Sequence, residues 1–321
     1  MYSWVCWRNR AFRTGTVLAL AGLAVLAGCG APGRPAPAGQ TPPAARAAAV
    51  DPVLAPALRG AEPKAASEPS ALARQIVVAE TAVRDRAGRP EVVAAAGRTA
   101  QVAYLAWYDR PDWDPAVLAA VPAQLRTIVR DSIAAGRELR SMDAQLLATV
   151  PAWRIVDPLP AAQLRAYYAE AQQRFGVPWT VLAAVHLVES SSGRIVGQSL
   201  AGAQGPMQFL PATWADYGLG GDVWNNRDAI LGAAHYLAAN GAADHTDAGL
   251  DRAIYRYNND MRYVHAVRRY AAVMQADDRA FLGLHARQVY YRTQAGDVLL
   301  PTGFQATRPI PVQEWLGRAP R

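Results

Sequence analysis

From Ser70 onwards the apolar positions of the chain fall at helical spacing. Leu72, Ile76 and Val83, then Val92 and Val93, then Val102 and Leu105 predict helices. Asp112 and Pro115 break the pattern. A second set follows, with Val117, Leu118, Val121, Leu125, Ile128, Val129 and Ile133, before Pro151, Pro158 and Pro160 punctuate the chain. Residues 71–156 are thus expected to form a helical support region, with Trp107, Tyr108 and Trp113 as packing residues rather than a sugar platform.

Between residues 160 and 275 nearly every segment reads as a short helix bounded by Gly, Pro or Asn. Residues 162–175 form one, closed by Gly176 and Pro178. Residues 179–190 form the next, and Trp179, Leu182, Val185, His186 and Glu189 share one face of it. Asn226 is placed to cap a helix over 227–240 that stops at Gly241, with Asp228 in its first turn. A helix over 247–257 brings Leu250, Ile254 and Tyr257 to one side. Tyr263, Val267, Tyr270, Ala271 and Met274 form a closing helix that reads as pure packing. The tail, 276–321, suits either a strap across the domain or an arm for a partner.

Composition and charge narrow the class. Hydrophobic residues make up 51% of the 321 and charged residues 18%, which excludes a wholly disordered chain, a collagen-like chain and a disulfide-stapled mini-protein. Lys and Arg number 33 against 26 Asp and Glu, a net +7, and Lys64 is the only Lys. Over 157–275, nine Arg face ten acidic residues, so this region has no basic footprint and nucleic acid is not an expected partner.

The first 28 residues predict an export signal: Arg8, Arg10 and Arg13, an apolar stretch over 16–27, then small residues. That stretch is short for a membrane span. Leu26, Ala27, Gly28 and Cys29 resemble the lipobox of bacterial lipoproteins. The resemblance implies cleavage before Cys29, lipidation of Cys29, and an exported protein anchored to a membrane and facing the cell wall or periplasm. An ordinary signal peptide with a coincidental Cys is the alternative. The other cysteine, Cys6, lies in the part that cleavage removes. Residues 29–70 follow as a Pro/Ala-rich linker, with nine Pro from Pro32 to Pro69, and predict a semi-rigid tether.

Two features carry candidate chemistry. Glu189 ends a largely apolar stripe, where burial would raise its pKa and let it hold a proton near neutral pH. A Glu exposed as the helix frays over 190–193 fits the same position. Residues 199–213 then read SLAGAQGPMQFLPAT. Glycines there let backbone approach a ligand closely, and Gln208 offers both donor and acceptor, a combination suited to carbohydrate. His186, His235, His245, His265 and His285 lack metal-ligand spacing, and the Gly218, Gly220 and Gly221 cluster does not join a strand to a helix. Neither a metal nor a cofactor is expected.

Glu189-Ser190, the loop over 202–211 with Gly202, Ala203, Gly205, Met207, Gln208 and Pro211 in place, and Tyr257-Asn258 resemble, in this order, the hallmarks of lytic transglycosylases with the goose-type lysozyme-like (SLT) fold. The resemblance spans about 115 residues. Pro206 stands where Leu is common, Ser191, Ser192 and Gly193 lack the usual aromatic and Asn, and Arg256 replaces a small residue. The resemblance implies a mainly α, lysozyme-like catalytic domain over 157–275 that acts on peptidoglycan glycan strands, with Glu189 as general acid and then base. It also implies that Ser190, Met207, Gln208, Phe209, Tyr257 and Asn258 bind substrate, with the Tyr257 hydroxyl beside Glu189. A core tyrosine bonded to backbone is the alternative for Tyr257. No Asp or Glu occurs over 190–215, in keeping with one catalytic carboxylate. The rival expectations are a hydrolytic muramidase of the same fold and a non-catalytic peptidoglycan-binding lipoprotein.

Overall fold

Proline sets the start of several helices and the cores they build. Pro69, Pro90 and Pro211 stand at the first positions of their helices, where the missing N–H costs nothing. A computed structural model describes residues 50–318 apart from residue 144. The export signal, Cys29 and the first part of the tether lie outside the described residues.

The chain is mainly α. Helices α1 (Ala55–Leu58), α2 (Pro69–Arg84), α3 (Pro90–Tyr108), α4 (Asp114–Ala120) and α5 (Ala123–Ser141) come first. Then follow α6 (Ala161–Phe175), α7 (Trp179–Ser190), α8 (Pro211–Tyr217), α9 (Asn226–Ala239), α10 (Asp247–Tyr257), α11 (Met261–Ala276), α12 (Ala280–His285) and α13 (Val312–Arg318). Short strands β1 (Thr149–Val150), β2 (Arg154–Ile155), β3 (Ile195–Val196), β4 (Val289–Thr293), β5 (Gly296–Leu300) and β6 (Ile310–Pro311) pair antiparallel as β1 with β6, β2 with β3 and β4 with β5. No helix among the described residues is long and apolar enough to cross a membrane.

Helix α7 is the centre of the first core. Its residues from Thr180 to Leu187 are all buried, against α6, α9 and α11, so the one-sided stripe read from the sequence is in fact apolar all round. A second core joins α2, α3, α4 and α5 and encloses Trp107, Tyr108 and Trp113. α5 belongs to both, with Ile128 and Ala135 in the first and Val129 and Ile133 in the second. A third, smaller core gathers Trp153, Ile155, Ile195, Tyr291 and Phe304 from the strands and the tail.

Two expectations need correction, and one left open is decided. Residues 50–68, expected to be tether, are anchored: Leu54 and Ala57 are 1% exposed, and the Asp51 side chain caps the turn Pro52–Leu54 that leads into α1. Gln75 of α2 holds the following stretch, accepting from the Ala66 N–H at 2.9 Å and donating to Lys64 O at 2.8 Å. Proline content hid these anchors. The cap of α9 is Asn225, whose side chain accepts from Arg227 and Asp228, and not Asn226. The tail is a strap: the Ile155 N–H donates to Phe304 O and the Ala306 N–H to Trp153 O, both at 2.9 Å, so it braces the β2–β3 pair.

Candidate active site

Glu189 and Ser190 close α7, and the turn after them is unusual. Ser191, Ser192 and Gly193 all have positive φ, at 56°, 60° and 83°. The turn is held from within: the Ser191 N–H donates to Leu187 O and the Ser192 N–H to His186 O. Ser190 is fully buried, accepting from the Gly193 N–H at 2.9 Å and donating to Pro206 O at 2.5 Å. One hydroxyl thereby ties the end of α7 to the Gly-rich loop.

The loop closes on itself through Gln204 and Phe209, which exchange backbone bonds at 2.8 and 2.9 Å. Gly205 has φ +73°, and a Cβ there would lie 1.8 Å from Val223 O, so no other residue fits. Gln208, at φ 52°, donates from Nε2 to Gly205 O at 2.7 Å, while its Oε1 is buried without a partner among the described residues. A cavity of about 360 Å³ borders both residues that Ser190 bonds, Gly193 and Pro206, together with Arg154, Trp224 and Asn226. Trp224 is 42% exposed.

The carboxyl is reached from α11. The Tyr263 hydroxyl, itself 1% exposed, donates to Glu189 Oε1 at 2.5 Å. Oε2 has no protein hydrogen bond among the described residues. Burial raises the Glu189 pKa to about 7, against the opposing pull of the Tyr263 bond. Burial, and after it the Glu189 charge, keeps the Tyr263 and Tyr257 hydroxyls protonated far above their ordinary range. No second carboxylate contributes to the Glu189 shift among the described residues. Asp222 and Asp228 are engaged elsewhere: Asp228 accepts from the Asp222 N–H and Asp222 from the Trp224 N–H, which shapes the turn before α9. Buried His186, bonded through Nδ1 to the Tyr168 hydroxyl at 2.8 Å, is held neutral, its pKa lowered by burial to about 3.

The site residues expected from the sequence are brought together with altered roles. Tyr257 lies within electrostatic reach of Glu189, but its hydroxyl donates to Met207 O at 2.6 Å, bracing the loop. The tyrosine on the carboxyl is Tyr263, which the sequence reading placed in packing. A tyrosine in the first turn of a helix that restarts just after Tyr-Asn, at Asp260, is the signal that marks it. Met207 and Phe209, at 0% and 3% exposure, turn into the core and cannot contact a ligand with their side chains. Asn258 is the C-cap residue of α10 and is buried. Compared with protein-family models, curated proteins and solved structures, the chain matches none.

Proposed function

We propose that the chain is a peptidoglycan lytic transglycosylase of the goose-type lysozyme-like fold, exported and anchored to a membrane through lipid on Cys29. The observation that carries the reading is a lone carboxyl with a pKa of about 7, held on one oxygen by Tyr263 and unpaired on the other. Glycosidic cleavage commonly uses two carboxylates. A reaction that supplies its own nucleophile needs only one.

In this reading the acid form of Glu189 gives its proton, from Oε2, to the oxygen between N-acetylmuramic acid and N-acetylglucosamine. The C1–O bond breaks, leaving an oxocarbenium-like centre and a free 4-hydroxyl. The Glu189 carboxylate then takes the proton of the muramic C6 hydroxyl as O6 bonds to C1, closing a 1,6-anhydro ring and restoring the acid. Holding that hydroxyl in place is worth an effective concentration of about 10⁵ M or more. The Gln208 side chain, 2% exposed and bonded to Gly205 O, sets the shape of the loop that meets the glycan. Trp224 supplies an exposed indole face on which a sugar ring can stack.

Mass analysis of products from purified peptidoglycan tests the reading. Anhydro ends, lighter than reducing ends by one water, are expected. Reducing ends alone would make the protein a hydrolytic muramidase, and intact glycan with binding would make it a non-catalytic wall-binding lipoprotein.

A further inference from the structure

Tyr263 reaches Glu189 from the first turn of α11, so whatever fixes that turn fixes the hydrogen bond on the carboxyl. Arg262, His265 and Arg269 lie on one face of α11 and meet α5. Arg262 Nη1 donates to Ser141 O at 2.5 Å, His265 Nδ1 lies 3.3 Å from Glu138 Oε1, and Arg269 Nη1 donates to Asp131 Oδ1 at 2.9 Å. Residue numbers rise along α11 as they fall along α5, so the helices run antiparallel along one polar seam. Tyr263 is turned to α7 instead, on which α11 also packs. The seam thereby sets the height and rotation at which α11 presents its tyrosine to the carboxyl.

Arg262 holds the end of this seam beside Tyr263. Ser141 is the last residue of the 19-residue helix α5, and its carbonyl is one of those a helix leaves without an internal partner, at the negative end of the dipole. A cation there answers both the open acceptor and the dipole. Glu138, one turn back on α5, attracts the same guanidinium. The other edge of the guanidinium grips Asp260, the N-cap of α11. Nε donates to Oδ1 at 3.0 Å and Nη2 to Oδ2 at 2.6 Å, while Oδ1 also accepts the Arg262 N–H at 2.8 Å. A forked pairing of this kind fixes direction as well as distance. Asp260 is joined in turn to the Tyr257-Asn258 pair, its N–H donating to Asn258 O at 2.7 Å.

We propose that Arg262 is a positioning residue for the Glu189 carboxyl: by capping α5 and clamping Asp260 it holds the Tyr263 hydroxyl on Oε1. The helical support region before residue 157 then takes part in the site, through the end of α5. Arg262 points to α5 and acts on Glu189 only through its neighbour Tyr263. The titratable groups that face Glu189 are Tyr263 of α11, which bonds it, and Tyr257 of α10, within its electrostatic reach, with His186 held neutral on its own helix.

Carbon NMR of the purified protein, labelled in its glutamate carboxyls, tests this without turnover, the Glu189 signal being the one lost in Glu189→Gln. In Arg262→Ala the Tyr263 bond weakens and the charged form of Glu189 loses support, so its titration should move up by about half a pH unit or more. Arg262→Lys, still a cation within reach of Ser141 O, should titrate near the parent. Arg262→Ala in a Tyr263→Phe background should add no further shift, because no hydroxyl is left to place. Turnover on glycan strands, which rests on the transglycosylase reading, should fall about tenfold in Arg262→Ala, with the basic limb displaced in step. Melting curves confirm the fold, and Asp260→Asn, which keeps the cap acceptor and loses the charged fork, carries the test if Arg262→Ala unfolds. A Glu189 titration unmoved in the folded Arg262→Ala or Asp260→Asn variant, or a shift that adds in full to that of Tyr263→Phe, overturns the assignment. A parent that yields no anhydro ends while the titration still shifts sinks the transglycosylase reading but not the role of Arg262.

Discussion

Tyr263→Phe isolates the hydrogen bond that separates an active carboxyl from a merely buried one. The substitution removes a single oxygen from a residue that is 1% exposed, so packing changes little. The bond it deletes favours the charged form of Glu189 and therefore lowers its pKa, against the larger upward effect of burial. Deleting it raises the pKa further. A hydrogen bond to a charged group is worth about 1.5 to 3 kcal/mol. At about 1.4 kcal/mol per pKa unit, and with Glu189 partly open to solvent, the expected rise is about one unit. Turnover on soluble glycan strands, followed by mass-detected products, should show its basic limb moved up by about one pH unit. On the acidic side of the profile, where Glu189 is protonated in both proteins, turnover should fall about tenfold because the carboxyl loses its orientation. A purely structural role for Tyr263 would lower the melting temperature and leave the limb in place. A limb that stays, or moves down, refutes the reasoning.

Glu189→Gln should abolish cleavage, by at least the 10² to 10⁴ that general acid-base groups contribute, and leave glycan binding intact, as co-sedimentation with cell walls would show. The same substitution should also stabilise the fold. A folded-state pKa raised to about 7 from 4.5 means that the stability Glu189 confers is present at low pH and lost as pH rises through 7, by about 3 kcal/mol. The mutant should therefore melt several degrees above the parent at pH 8 and alongside it at pH 4; equal melting at pH 8 would contradict the burial assigned to the carboxyl. Ser190→Ala strips partners from the Gly193 N–H and Pro206 O, and urea melts should show a loss of about 2 to 4 kcal/mol; a loss below about 0.5 kcal/mol would mean the clamp is not made in solution. Cys29→Ser should leave the protein unlipidated and free of the membrane but folded, a result read by fatty-acid labelling and fractionation.

Much of the site was legible because the sequence writes it locally. Glu189-Ser190, the loop around Gly205 and Gln208, and Tyr257-Asn258 are contiguous motifs, and helix boundaries such as Gly176 and Asp247 follow from short-range capping. What escaped depends on which surface a residue meets across the fold. Tyr263 and Tyr257 are both buried tyrosines near a helix end, and only the packing of α11 on α7 decides that Tyr263 reaches Oε1 while Tyr257 turns to Met207 O. Met207 and Phe209 sit among loop residues by sequence, yet their apolar side chains were free to turn into the core once the glycines bent the backbone. The 50–68 stretch likewise looked unfoldable by composition. Its anchors are Leu54 and a glutamine on α2, and neither leaves a mark in proline content.

One carboxyl can serve as acid and then base only if its surroundings do not commit it to either state. Burial alone would hold Glu189 as the acid and make the carboxylate left after proton transfer costly. The Tyr263 hydroxyl acts in the opposite sense, because it donates most strongly to the anion that forms when the proton leaves. The two influences thus stabilise successive forms of the same group; burial is the larger, and the Tyr263 bond holds the rise to about 7. A neighbouring carboxylate would have pushed the value higher still by repulsion and favoured the acid throughout. The absence of such an influence on Glu189 among the described residues, with His186 neutral and both tyrosines protonated, leaves a site whose net charge changes only through Glu189 itself. That arrangement suits a cycle in which the proton given to the leaving oxygen is recovered from the substrate's own hydroxyl.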